Sequence, residues 1–285
     1  MELGVHLPLM EFGDEGQSLA RLTRTVDAAR ECGLAAIAAN DHFLFSSPWL
    51  DGPTALAAVL ERSGSMDLAT TIALVSLRGP VTLAKTLAAL DLLSGGRVMA
   101  GVGPGSSERD YEAVRIPYDD RWARFENSVV ELRALLADDS PLEPRPHRRV
   151  PIWIGSWGSP AGLRRVARLA DGWLASAYNT TPEAFAAARA TLPHGLPNAV
   201  VTMWTWITED PRDAERVLRE VLAPLLKREP DALRHQLCIG PAERCAELLA
   251  RYAEAGCQRV HLWPLGDDAR QIELAASRVL PAVNG

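Results

Sequence analysis

LATTIALVSLRGPVTLAKTLAALDLLSGGRVMAGV, running from Leu68 to Val102, is the stretch that decides the fold. Leu68–Val75 is a short β-branched and apolar run, as a strand covered by helices on both faces requires. Pro80 then stands where a helix should begin, a position where proline loses only an N–H that would be unpaired anyway. Val81–Leu93 has the amphipathic pattern of that helix, and Val98–Val102 is a second apolar strand. Strand, helix and strand of this kind form one βα repeat, and the repeat recurs along the chain.

Further strands are predicted near Leu3–Leu7, Leu34–Ala39, Ile152–Ile154, Trp173–Ala177, Val200–Ile207 and Val260–Trp263. Helical patterns fill the gaps at Ser18–Cys32, Pro53–Arg62, Trp122–Leu136, Ala161–Ala170 and Pro211–Leu226. In the last of these, Ala214, Val217, Leu218, Val221, Leu222 and Leu225 mark one buried helical face. Pro53, Pro160, Pro182, Pro211 and Pro241 open helices as Pro80 does, with Thr181 and Asp210 as N-caps and Gly33 and Gly256 as C-caps. Eight βα units predict a closed (β/α)₈ TIM barrel. A doubly wound open sheet is the runner-up, but the first strand ends His6-Leu7-Pro8, without the GxGxxG turn of that fold. Long connections at Gly103–Arg121 and Ala223–Arg259 predict insertions after strands four and seven. Pro141–Val150 reads as an external connector. No linker divides the chain, which predicts one domain over residues 1–285.

Composition removes several function classes. Acidic residues (36) outnumber basic ones (30), and no stretch concentrates the basic ones, which speaks against nucleic acid or an anionic membrane as partner. No apolar run is long enough to span a bilayer, and Met1–Gly16 has no basic-then-apolar leader. The four cysteines (Cys32, Cys238, Cys245, Cys257) have no CxxC spacing, so neither a zinc site nor a disulfide framework is expected. The expectation is a reduced, cytoplasmic, metal-free protein.

A barrel places its site at the carboxyl ends of the strands. Those ends read Asn40-Asp41-His42-Phe43, Thr70-Thr71-Ile72, Gly103-Pro104-Gly105-Ser106-Ser107, Gly155-Ser156-Trp157-Gly158-Ser159, Tyr178-Asn179 and Trp204-Thr205-Trp206. Gly155–Pro160 runs from strand into helix and admits two readings. Its glycines, hydroxyls and helix N–H groups suit an anion, and Ser159 alone also serves as a plain N-cap. His42 is the candidate acid/base, with Asp41 beside it either fixing its tautomer or contacting the ligand. A capping Asp41 and a packed His42 are the bland alternative. No HxH pair and no GxSxG elbow is present. Trp204 and Trp206 alternate, which puts both indoles on one side of their strand.

Leu83-Ala84-Lys85, Leu90–Arg97, Gly101–Gly105, Pro151–Gly155, Arg164–Trp173, Asp41-His42-Phe43 and Ile239–Glu243 together resemble the bacterial-luciferase-like flavin oxidoreductase family. The resemblance covers nearly the whole chain. It implies a homodimeric barrel that binds the deazaflavin F420, or flavin mononucleotide (FMN), at the strand carboxyl ends. By position it places the phosphate near Gly155, Ser156, Trp157 and Ser159, and the ribityl side along Gly103, Gly105, Ser106 and Ser107. Thr71-Ile72 falls where the family has a non-prolyl cis peptide in a bulge behind the ring. His42 matches the proton-handling histidine of the branch that oxidises sugar phosphates with F420. That branch has a glutamate where this chain has Ser106, and the luciferases have their key histidine where it has Asp41.

The favoured expectation is an F420-dependent reductase or dehydrogenase acting on a small organic substrate, with His42 and Asp41 as catalytic residues. An FMN-dependent monooxygenase using reduced flavin and O2 is the alternative. A non-catalytic flavin-binding protein is a second alternative, and a phosphate-binding aldolase-like barrel with an inward lysine a third. Glu108, Arg109 and Tyr111 are expected in a mobile loop over the substrate, and Arg109, Arg164 and Arg165 are candidate clamps for the anionic tail of F420. The small apolar faces Ala55–Val59 and Ala84, Leu87 and Ala88 are expected to form the dimer interface.

Overall fold

A computed structural model of the chain describes residues 1–12 and 16–284; residues 13–15, inside the Met1–Gly16 stretch read above, and residue 285 lie outside the described residues. β1 (Glu2–His6), β2 (Ala36–Ala39), β3 (Asp67–Leu74), β4 (Val98–Gly103), β5 (Ile152–Gly155), β6 (Gly172–Ser176) and β7 (Asn198–Ile207) lie side by side in chain order. β8 (Cys238–Gly240) and β9 (Arg259–Pro264) follow, and β9 fits between β7 and β1 to close the ring. Every pairing between these nine strands is parallel. The result is a closed eight-stranded (β/α)₈ barrel, and each of the eight predicted strands is one of its staves.

β8 is an unforeseen addition. The register of β7 slips between Val200 and Met203, where Thr202 takes a left-handed φ of 56°. The first part of β7 therefore bonds β6, whereas its end, Thr205–Ile207, bonds β8. Three residues are too few for an apolar pattern to announce a strand.

The helices begin and end where the punctuation placed them. Thr181 accepts from Ala184 N at 3.3 Å and Asp210 from Arg212 N at 2.8 Å, each as N-cap ahead of its proline. Gly33 and Gly256 follow their helices with φ of 70° and 84°, a conformation that costs glycine little. Residues 211–226 are not one regular helix. Pro211–Arg216 passes through a wider turn at Val217–Leu222 before Ala223–Leu226. Pro224 has no N–H to return to the preceding turn, and its ring crowds the carbonyl there, so the backbone widens.

Inside the barrel, ring size is traded against glycine. A Cβ on Gly4 would stand 2.6 Å from Nδ1 of His261, and one on Gly172 2.3 Å from the Trp153 indole. Ala38, Ala69, Met99, Leu174, Ala199 and Val201 fill the middle as a separate apolar cluster. Above them the inward positions of β4 and β5 are Gly103 and Gly155, so the mouth stays open there. β3 has a register shift between Thr70 and Ala73, and the Thr71–Ile72 peptide within it is cis. The bulge turns Ile72 across both glycines: their missing Cβ atoms would lie 2.8 Å and 2.9 Å from its side chain.

The dimer faces read from the sequence are corrected in part. Ala55, Leu56, Val59, Ala84, Leu87 and Ala88 are buried in the protein's own core, and of the named residues only Ala57 and Ala58 are exposed. An apolar helix face in a barrel turns first toward the strands beneath it.

Candidate active site

A cavity of about 350 Å³ opens at the carboxyl ends of the strands, over Ile72, Leu174 and Val201. The segments at the ends of β2 to β6 contribute. Asn40, Asp41 and His42 come from the β2 loop, and Thr71 and Ile72 from the β3 bulge. Gly103, Gly105 and Ser106 follow β4, while Gly155, Ser156, Trp157 and Ser159 follow β5. Eleven of the predicted residues thus line one cavity.

Ser107 is the exception. Its hydroxyl accepts from Asp110 N at 3.3 Å and caps the Glu108–Ala113 helix, so it faces the helix and not the cavity. That helix also replaces the expected mobile loop. Tyr111 is fully buried with its hydroxyl donating to Pro104 O at 2.5 Å, whereas Glu108 and Arg109 point to solvent and Arg109 does not line the cavity. Tyr111 packs with Leu74 and Leu77 in a satellite core that fastens the insertion to the barrel.

His42 stands in the wall with its ring 4.7 Å from Phe45 and 4.8 Å from Trp49. Its Nδ1 is 2.8 Å from Oδ2 of Asp110. The other oxygen of Asp110 accepts from Phe43 N at 3.1 Å and Leu44 N at 2.7 Å. Burial pushes the Asp110 carboxyl up, but these donors together hold it below the ordinary carboxylate value.

Asp41 lines the cavity but does not bond the His42 ring. Its carboxylate takes both Nε and Nη2 of Arg78, at 2.5 Å and 2.6 Å, and Leu74 N at 3.2 Å. Arg78 also bonds Asp51, and these two partners outweigh the burial that disfavours its cation. A carboxylate in a bidentate pair is a brace between the β2 and β3 loops, not an acid/base group. The partner that orients His42 is therefore Asp110.

After β5, the N-cap reading of the loop holds. Ser159 caps the Pro160–Leu169 helix by accepting from Gly162 N at 3.2 Å, and Ser156 accepts from Gly158 N at 3.3 Å. A Cβ on Gly162 would stand 2.3 Å from the Ser156 hydroxyl, so only glycine lets the two serines converge at this helix start. Two cations join them that the rim motifs do not contain. Arg121 lines the cavity at the start of the Arg121–Leu135 helix, and Arg165 lies 4.3 Å over the Trp122 ring while pairing with Glu126 at 2.7 Å.

Residues 1–225 match the sequence profile described as luciferase-like monooxygenase. The chain belongs to that family. It is 30% identical over 174 residues to the F420-dependent glucose-6-phosphate dehydrogenase of Amycolatopsis mediterranei, a match covering 51% of this chain and 50% of that protein. The chain thus spans about half the length of the curated relatives it matches. Among solved structures, an F420-dependent secondary alcohol dehydrogenase in complex with an F420-acetone adduct superposes with a TM-score of 0.83 at 18% identity, covering 99% of this chain and 98% of that one. The oxygenating constituent of 3,6-diketocamphane monooxygenase from Pseudomonas putida, in complex with FMN, gives 0.76 at 15%, covering 99% and 98%. At such identities the likeness is one of fold.

In this luciferase-like chain the β1, β7 and β9 side of the mouth is closed by rings. His6 stacks on Trp263 at 4.3 Å and Trp263 on Trp204 at 4.1 Å. Burial pushes His6 down to about 3, so it is neutral, and its Nε2 accepts from Thr202 N at 3.2 Å. Trp204 is therefore core, whereas Trp206 is partly exposed and donates to Asp213 at 2.6 Å. Neither lysine faces the barrel interior: Lys85 is exposed on the Pro80–Ser94 helix and Lys227 follows the Ala223–Leu226 helix, so the aldolase-like reading has no nucleophile. Among the described residues no three metal-ligating side chains cluster, and no helix is long and apolar enough to cross a membrane.

Proposed function

We propose that this luciferase-like chain is an oxidoreductase that binds F420, in preference to FMN, and acts on a small organic substrate. The observation that supports it is the two-ended cavity. One end gathers Arg121, Arg165, Ser156, Ser159 and a helix start, and the other holds His42 beside a slot floored by Ile72 over two glycines.

The residues present fit a phosphorylated tricyclic cofactor. Its phosphate would meet the arginine and serine end, where Arg121 has no carboxylate partner among the described residues and Arg165 shares Glu126 with Arg168. Asn40 Oδ1 and Thr71 Oγ1 are buried without a hydrogen-bond partner among the described residues, beside the slot, and would receive the polar edge of the ring. Bound there, such a cofactor supplies two-electron redox chemistry. His42 moves the proton, Ile72 and the glycines set the plane of the ring, and Trp122 and Tyr118 at the cavity wall limit the entry of water.

The preference for F420 rests on what lies beyond Arg165. A surface groove of about 570 Å³ continues past it, lined by Arg164, Arg165, Arg168 and Glu126. Three cations against one carboxylate suit the oligoglutamate tail that distinguishes F420 from FMN. Ser106, standing where the sugar-phosphate branch has its glutamate, turns the substrate away from a sugar phosphate. Titration calorimetry of the purified protein tests the reading. Micromolar or tighter binding of F420 with weaker FMN binding is the expected result. FMN binding alone would overturn the preference, and binding of neither would overturn the function.

We propose in addition a homodimer through the outer face of the Pro80–Ser94 helix. Val81, Leu92 and Leu93 are exposed there, with Val130 exposed on the adjacent Arg121–Leu135 helix. Sedimentation equilibrium at micromolar concentration should give twice the chain mass; the chain mass alone would reject the dimer.

A further inference from the structure

We infer that Asp110 is the positioning residue of this site, and that it holds neutral His42 as the Nδ1–H tautomer, with the lone pair of Nε2 turned to the cavity. The inference rests on the reading of His42 as the group that moves the proton. It concerns a residue that no rim motif contains, 68 positions further along the chain.

Donors and acceptors around Asp110 decide the tautomer. Oδ1 of Asp110 is occupied by two backbone N–H groups, Phe43 and Leu44, so Oδ2 alone faces His42. The side chain of Asp110 is 2% exposed, and the two backbone N–H groups favour its ionised form. An ionised carboxylate only accepts, so the hydrogen on the 2.8 Å line to His42 belongs to Nδ1. Nε2 then carries no hydrogen in the neutral ring. When it takes a proton, the resulting cation has Asp110 at its back as counter-ion.

The insertion after β4 is built to deliver this carboxylate. Ser107 caps the helix that carries Asp110, the buried Tyr111 of the same helix ties it to Pro104 O, and Tyr111 in turn packs edge-on to Tyr118 at 5.3 Å. Phe45 and Trp49 confine the faces and edge of the imidazole, which leaves it one orientation in which Nδ1 reaches Asp110. The same carboxylate thus anchors the backbone of the His42 loop and chooses the ring nitrogen that is presented.

Long-range proton–nitrogen correlation spectra of the full chain with ¹⁵N-labelled histidine read the tautomer directly, with His42→Gln assigning the signal. The expected wild-type pattern is Nδ1–H with Nε2 unprotonated. Asp110→Asn should invert it, because the carboxamide keeps an oxygen for the two backbone amides and offers an N–H to Nδ1. With cofactor bound, the same variant should lose about 10²- to 10⁴-fold in kcat, the range for a displaced acid/base. A wild-type Nε2–H pattern, or a pattern unchanged in Asp110→Asn, would overturn the inference. If Asp110→Asn does not fold, Asp110→Glu decides: it retains a carboxylate and should retain Nδ1–H, and inversion there would be equally fatal. Failure of the calorimetric titration with an intact Nδ1–H pattern would remove the proposed function and leave the role of Asp110 standing.

Discussion

Replacing His42 with alanine is expected to cut turnover by about 10²- to 10⁴-fold while leaving the barrel folded and cofactor binding within a few-fold of wild type. The ring is 19% exposed and sits on a loop, so its removal opens a space that water can enter rather than a dry core cavity. Asp110 keeps its two backbone donors, and the loop therefore keeps its anchor. Steady-state turnover, calorimetry and the unfolding midpoint separate the three effects. Unchanged turnover with intact binding would return His42 to a packing role, and a large fall in the midpoint would show that the ring holds the loop.

Replacing Trp263 with alanine is expected to act first on stability, with a loss of about 3–5 kcal/mol. Trp263 is 1% exposed and lies between two parallel rings, His6 at 4.3 Å and Trp204 at 4.1 Å, with Trp49 edge-on at 5.7 Å. The barrel strands around it are fixed by their hydrogen-bond register and cannot collapse into the space. Urea unfolding should show a lower midpoint with little change in slope. Trp49 also touches the His42 ring, so the alanine variant should lose turnover as well, and Trp263→Phe should restore part of both. A loss below about 1 kcal/mol would mean that the three-ring stack is not what closes this side of the mouth.

Much of the site was legible before the fold was known. His42, Thr71, Ile72, Gly103, Gly105, Ser106, Gly155, Ser156, Trp157 and Ser159 all lie in or just past the carboxyl ends of strands, and a closed barrel brings every strand end to one rim. Asp41 was drawn into the catalytic group beside His42; it lines the same cavity, but its carboxylate is held by Arg78 and Leu74 N and not by the His42 ring. Ser107 failed for a similar reason, since a residue one step from the cavity wall has turned into its helix as a cap. Arg121 and Asp110 had no signal at all. Each is one charged residue on a helix, indistinguishable in sequence from a solvated one.

What the sequence determined by itself is local and periodic. Apolar runs of strand length, helical spacing, prolines at helix starts and glycines past helix ends specify which segments form which element, because these preferences act over a few residues. Eight repeats of strand and helix, without the GxGxxG turn of a doubly wound sheet, then favour the closed barrel between the two arrangements that cover both faces of their strands. Tertiary structure alone decided the pairings across the mouth: Asp110 with His42, Asp41 with Arg78, and Ile72 over Gly103 and Gly155. It also decided that Ala84, Leu87 and Ala88 pack inward rather than against a second copy. The physical reason is that such contacts depend on strand register, on a bulge and on the path of an inserted helix. Side chains far apart in the chain meet only once those are set, and no period in the sequence encodes the meeting.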